Sequence, residues 1–317
     1  MTWGLAHGRA MIRATQTHRD LGLDPRAYID VYQALGRAGL LVFGQPMADL
    51  FGAYLPAISG KGGRKAGVVL NTHRSPIDQR HSAAHELGHH VFGHGQCTSD
   101  ITQVFEDPDP GTWPTREKEA EAFAAAFLMP RTAARKVIEL LGIDRITRPD
   151  EAYQVALHLG TSYRGTVRHL AAIKLISQGE AARWARVPKA TLRDRAGAGL
   201  AVPPTGSGSV WVLGTASDGA VLHVRPGDRL VIDSPLVQGP ASTPAVLPPG
   251  VSRADPASAA DQGALALEFE NGGPIELDIT DAFCTGGPLR LEPQDKAGWQ
   301  ATLAPVPALR DGLNELV

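Results

Sequence analysis

A chain of 317 residues is too long for one small domain, so two or three are expected, and a hydrophobic content of 43% is ordinary for a globular protein. No run approaches the ~18 apolar residues of a membrane span, and the N-terminal segment, with Trp3, His7, Arg9, Arg13 and His18, lacks an apolar secretory core. The two cysteines, Cys97 and Cys284, fall in different predicted domains, which argues against a disulfide framework and for a cytoplasmic location. The net charge of −2 is unevenly spread: residues 1–199 carry 25 Lys/Arg against 19 Asp/Glu, and residues 200–317 carry 6 against 14.

Taken in chain order, residues 8–40 read as helical, with Tyr28, Ile29, Val31, Tyr32, Leu35 and Leu40 giving an apolar stripe. Residues 41–43 read as a short strand and residues 67–70 as another, ending at Asn71. The glycine-rich residues 59–63 between them suit a mobile loop or hairpin tip. Two readings of the strand at 67–70 stand side by side. It is either a buried structural strand or a sheet edge to which an extended peptide could add by main-chain hydrogen bonds.

Residues 80–92 carry Ala83, Ala84, Leu87, Val91 and Phe92 at three-to-four spacing, the pattern of an amphipathic helix, with Pro76 and Asp78 suited to its start. Within it stands His85-Glu86-Leu87-Gly88-His89, the HExxH pattern. Residues four apart share a helix face, so two imidazoles can grip one metal ion while Glu86 lies beside the same face as a general base. Three fixed positions of five also arise by chance, and a histidine-rich surface helix is the bland alternative, since His81, His90 and His94 are close by.

A catalytic zinc usually takes three protein ligands. His94 is out of register with the metzincin spacing and makes a poor third ligand. A carboxylate from a second helix is the other source. Residues 115–129 form such a helix, with Thr115 read as its N-cap and Pro130 as its stop. Glu117 and Glu121 share a face and Glu119 points elsewhere. Acidic residues in a first turn also complement the helix dipole, which explains a carboxylate there without any metal.

Three blocks now stand in order: Gly67-Val68-Val69-Leu70-Asn71, the stretch from Ala84 to His94, and the stretch from Glu117 to Pro130. Together they resemble the ImmA/IrrE family of metallo-endopeptidases, over roughly residues 30 to 180. The resemblance implies a gluzincin-like core with zinc on His85, His89 and Glu117, Glu86 as general base and Glu121 as the fallback ligand. It also implies a substrate class, a DNA-binding transcriptional repressor cut in a stress or mobile-element response. Residues 95–114 depart from the family and carry nothing over.

Beyond Pro130 two or three more helices are expected. Residues 156–170 read as helix, tight turn, helix, with Gly160 in the turn and Ser162 as cap, similar to the helix-turn-helix-like part of that family. Residues 144–199 hold ten basic and five acidic residues, which would suit nucleic acid, although such a shape often only packs against a neighbour. Residues 202–209 have linker chemistry.

After them, β-prone runs at 210–213, 221–224, 229–232, 265–269 and 275–279 are separated by turn signals. Residues 235–261 read as a long loop. The expected architecture is therefore α+β and multidomain: a zinc peptidase domain over 1–142, helix-turn-helix-like helices over 143–200, and an all-β sandwich-like domain over 209–317 that serves as a sensor or docking module. The contrasting expectation is a non-enzymatic regulator that senses metal or ligand and acts by binding protein or DNA. No membrane partner is expected.

Overall fold

The computed structural model describes residues 1–58, 64–95, 97–100, 113–197, 208–217, 220–233, 251–253, 264–269, 273–278 and 290–293. The glycine-rich residues 59–63, Cys284, most of the 202–209 linker and most of the 235–261 loop lie outside them. Backbone contacts divide the described residues into one unit within Met1–Pro130 and a second within Arg131–Ala297.

In the first unit the helical expectation for 8–40 resolves into two helices, α1 (Trp3–Asp20) and α2 (Val31–Arg37). The chain leaves α1 through Gly22 at φ +61°, and Asp30 restarts it by accepting hydrogen bonds from the Tyr32 and Gln33 backbone at 3.1 and 3.0 Å. Strands β1 (Leu41–Gln45), β2 (Leu50–Leu55), β3 (Gly67–Asn71) and β4 (Cys97–Asp100) form a sheet in the order β1-β3-β2-β4. β1 and β3 run parallel, while β2 is antiparallel to β3 and β4. β3 is central and buried at all five positions, so of its two sequence readings the structural one holds; the edge beside β2 belongs to β4.

Asn71, fully buried at the end of β3, fixes the link into β2. Its amide accepts from Met47 N at 3.1 Å and donates to Met47 O at 2.8 Å and Leu50 O at 2.6 Å. These bonds satisfy main-chain groups that would otherwise be buried without partners.

Helix α3 (Pro76–Phe92) follows the sequence signals closely. Ser75 caps it by accepting from Asp78 N at 3.3 Å, Pro76 opens it, and Gly93 ends it in the left-handed region at φ +68°. Helix α4 (Thr115–Leu128) begins one residue earlier than expected: Pro114 is the cap and Thr115 already lies inside the helix. α4 packs against both α1 and α3 through small and aromatic residues, among them Ala120, Phe123, Ala124 and Phe127. His18 of α1 stacks on Phe127, with 4.6 Å between ring centroids.

The second unit holds α5 (Arg131–Leu140), α6 (Pro149–Leu159), α7 (Tyr163–Ala172), α8 (Gln178–Trp184) and α9 (Lys189–Ala196) among the described residues. Gly160 (φ +62°) makes the turn between α6 and α7, and Ser162 caps α7 by accepting from Gly165 N at 3.2 Å. Seven strands follow among the described residues: β5 (Val210–Leu213), β6 (Val221–Val224), β7 (Arg229–Asp233), β8 (Val251–Arg253), β9 (Ala264–Phe269), β10 (Gly273–Asp278) and β11 (Arg290–Pro293). They form a four-stranded sheet, β5-β7-β9-β8, and a three-stranded one, β11-β10-β6.

The all-β sandwich expected for 209–317 finds no support among the described residues. β5 and β7 pair in parallel, and β5 is bonded along one edge to helix α6. Gln154 of α6 donates to Val210 O at 2.9 Å and accepts from Val212 N at 3.0 Å, and the Tyr153 hydroxyl accepts from Val210 N at 3.3 Å. No helix among the described residues is long and apolar enough to cross a membrane.

Candidate active site

Two close approaches assemble the site. Where α3 crosses α4, a Cβ on Gly88 would stand 3.0 Å from Ala120 Cα and 3.2 Å from Ala120 O. Glycine at this point lets the two helix backbones come near enough for α4 to deliver its carboxylates to the histidines of α3. On the other side of α3, a Cβ on Gly52 of β2 would stand 3.0 Å from Glu86 Oε1 and 3.1 Å from Val69 O. The strand has given up a side chain to make room for Glu86, which is fully buried.

His85, His89 and Glu117, all buried, bring one ligand atom each to a common point. His85 Nε2 and His89 Nε2 are 3.0 Å apart, and Glu117 Oε2 lies 3.2 Å from the first and 3.4 Å from the second. Ligands bound at ~2.0–2.2 Å in a tetrahedral shell stand ~3.3–3.5 Å from one another, so this near-equilateral N, N, O set fits a zinc-like divalent ion. Glu121, the fallback ligand, is not in that group. Its Oε2 lies 3.3 Å from His85 Nδ1 and 2.9 Å from His81 Nε2, so it holds the outer side of the His85 ring.

Electrostatics agree with this geometry. Burial opposes a charged imidazole at His85, but the hydrogen bonds it donates to Glu117 and Glu121 and the charge of Glu86 outweigh it and raise the group to about 10. Burial, helped by the neighbouring His85 and His94, pushes His89 down to about 4. Burial also works against the charge on Glu117, yet His85 and His89 hold its carboxyl well below the usual carboxylate range. The cluster thus favours one centre of positive charge set among carboxylates.

Three further polar side chains, His94, His90 and Tyr163, each have a hydrogen-bond partner of their own. His94 Nδ1 meets His89 Nδ1 at 2.8 Å, His90 Nδ1 meets the Tyr54 hydroxyl at 3.1 Å, and the Tyr163 hydroxyl donates to Trp184 O at 3.0 Å. Sequence reasoning assigned no role to Gly52 or to Glu119, and it left the glycine inside the HELGH motif unexplained. A glycine within a strand is a signal of close approach by another group. Nothing in the sequence names that group.

A buried pair of histidines four apart on one helix, a carboxylate from a second helix and a further buried glutamate between them define a metallopeptidase type of site. Residues 37–163 match the family model of the IrrE N-terminal-like domain, and this segment is a metallopeptidase domain of the ImmA/IrrE family. No curated protein matches the chain.

Proposed function

We propose that this protein is a zinc-dependent endopeptidase whose metal is held by His85, His89 and Glu117 and whose general base is Glu86. The observation that carries the reading is the convergence of those three ligand atoms within 3.0–3.4 Å beside a buried glutamate. A bound divalent ion would supply a Lewis acid and make a nearby water far more acidic than in bulk. The chain's own residues do the rest. Glu86 accepts the proton of the attacking water and returns it to the departing amine, and the glycine at position 52 leaves its carboxylate the room to do so. Glu121 fixes the His85 ring through Nδ1, leaving Nε2 for the metal.

Within this proposal the substrate is a DNA-binding repressor, following the family resemblance. α7 supports a protein partner over DNA. It buries Tyr163, Thr166, Val167, His169 and Leu170 and turns only two arginines, Arg164 and Arg168, fully outward. A helix reading bases needs several side chains reaching into the groove.

The test is cleavage of a repressor encoded beside this chain, assayed with and without chelator, together with the Glu86→Gln variant. Glu86→Gln is expected to keep stoichiometric zinc and to lose turnover by at least ~10²-fold. A variant that holds zinc and cleaves at the wild-type rate would overturn Glu86 as the base, and wild-type function that ignores the chelator would overturn the proposal and favour a non-enzymatic regulator.

A further inference from the structure

His89 is fully buried, and its two ring nitrogens face different partners. Nε2 points to His85 and Glu117; Nδ1 meets Nδ1 of His94 at 2.8 Å. His94 in turn places Nε2 3.3 Å from Oε2 of the buried Glu119, and Glu119 Oε1 lies 2.8 Å from the Arg9 guanidinium on α1. The backbone repeats the attachment. Gly93 in the left-handed region folds the chain so that His94 N donates to His89 O at 3.0 Å, while the His94 ring stacks on Phe92 at 5.6 Å.

Protonation along this line is dictated from one end. If His89 gives Nε2 to a metal, its proton sits on Nδ1 and is donated to His94 Nδ1. His94 must then carry its own proton on Nε2, which it donates to the Glu119 carboxylate. We propose that His94 and Glu119 are positioning residues, a relay that sets the tautomer and ring orientation of His89. The inference rests on the metal site proposed above. It makes the two histidine ligands unequal: His85 leans directly on a carboxylate, Glu121, whereas His89 reaches its carboxylate through a second imidazole. Partners of this kind typically account for ~10–100-fold in metal affinity.

Zinc titration of the full chain against a chromophoric chelator tests this. His94→Phe, which keeps the stack on Phe92, is expected to bind zinc ~10–100-fold more weakly, and Glu119→Ala to move the same way. Glu119→Gln is expected to stay near the wild type, because its amide oxygen still accepts from His94. A folded His94→Phe protein with wild-type affinity sinks the relay alone. A wild type that binds no zinc sinks the metal site and the relay together. A second measurement needs no variant. Imidazole nitrogen NMR of the zinc-loaded wild type should place the His94 proton on Nε2, and a proton found on Nδ1 overturns the proposal even if His94→Phe fails to fold.

Discussion

At position 52 the chain carries glycine because Glu86 Oε1 and the Val69 carbonyl occupy the space a Cβ would need, at 3.0 and 3.1 Å. The carboxylate is the flexible neighbour and the carbonyl the rigid one, so an added methyl displaces the base. Gly52→Ala is therefore expected to lower kcat by up to ~10²-fold, the scale of a ~1 Å misplacement of a catalytic group, with zinc content unchanged. Loss of zinc from that variant, rather than of rate, would contradict the assignment. At this scale the sequence was legible where chemistry and spacing coincide: His85, Glu86 and His89 follow from one helical repeat. Glu117 and Glu121 were not separable that way, since both share a face. Where α4 crosses α3 decides between them, and that is set by packing around Gly88 and Ala120 rather than by any local pattern.

Helices with chemical punctuation at both ends were readable as elements. α3 runs from the Ser75 cap and Pro76 to a left-handed Gly93, and its bounds could be anticipated from those residue types. β2 could not, because a Leu-Phe-Gly-Ala-Tyr-Leu run buried at five of six positions shows no alternation. The stretch 8–40 hid a break at Gly22, which the apolar stripe from Tyr28 to Leu40 does not reach. The contact between α3 and α4 carries its own expectation. Gly88→Ala would press a methyl against Ala120 backbone atoms at 3.0 and 3.2 Å, and backbone cannot rotate away. Overpacking of this kind costs ~1–3 kcal/mol. A thermal melt should show that loss together with weaker zinc binding, since α4 carries Glu117 and Glu121. An unchanged melting temperature and affinity would mean the helices are not held at this point.

Across the whole molecule, the β-prone runs after residue 209 were legible as strands, but their partners were not. β5 pairs in parallel with β7, nineteen positions further on, and takes its bond from Gln154, which lies 56 positions before Val210. In the second unit the helix side also contributes a pH dependence. His158 of α6 is buried against Trp211 of β5, with 5.3 Å between ring centroids, and burial pushes it down to about 4. The unfolded chain takes up this proton near pH 6.5 and the folded chain only near 4. The stability His158 confers is thus present above 6.5 and is lost as pH falls through 4, by about 3 kcal/mol in all. Denaturant unfolding followed by tryptophan emission should show this decline between pH 7 and 4 in the wild type and a flatter profile in His158→Leu. Equal slopes would remove His158 as the cause.

Gln154 has one more effect. A ribbon whose outermost strand offers bare amides and carbonyls is an adhesive border, on which a stranger's backbone can dock and begin a stack. Here that border is occupied by a carboxamide of the molecule's own, which makes the same two bonds a stranger would seek. The outer flank of β5 is thereby closed to such recruitment at Val210 and Val212.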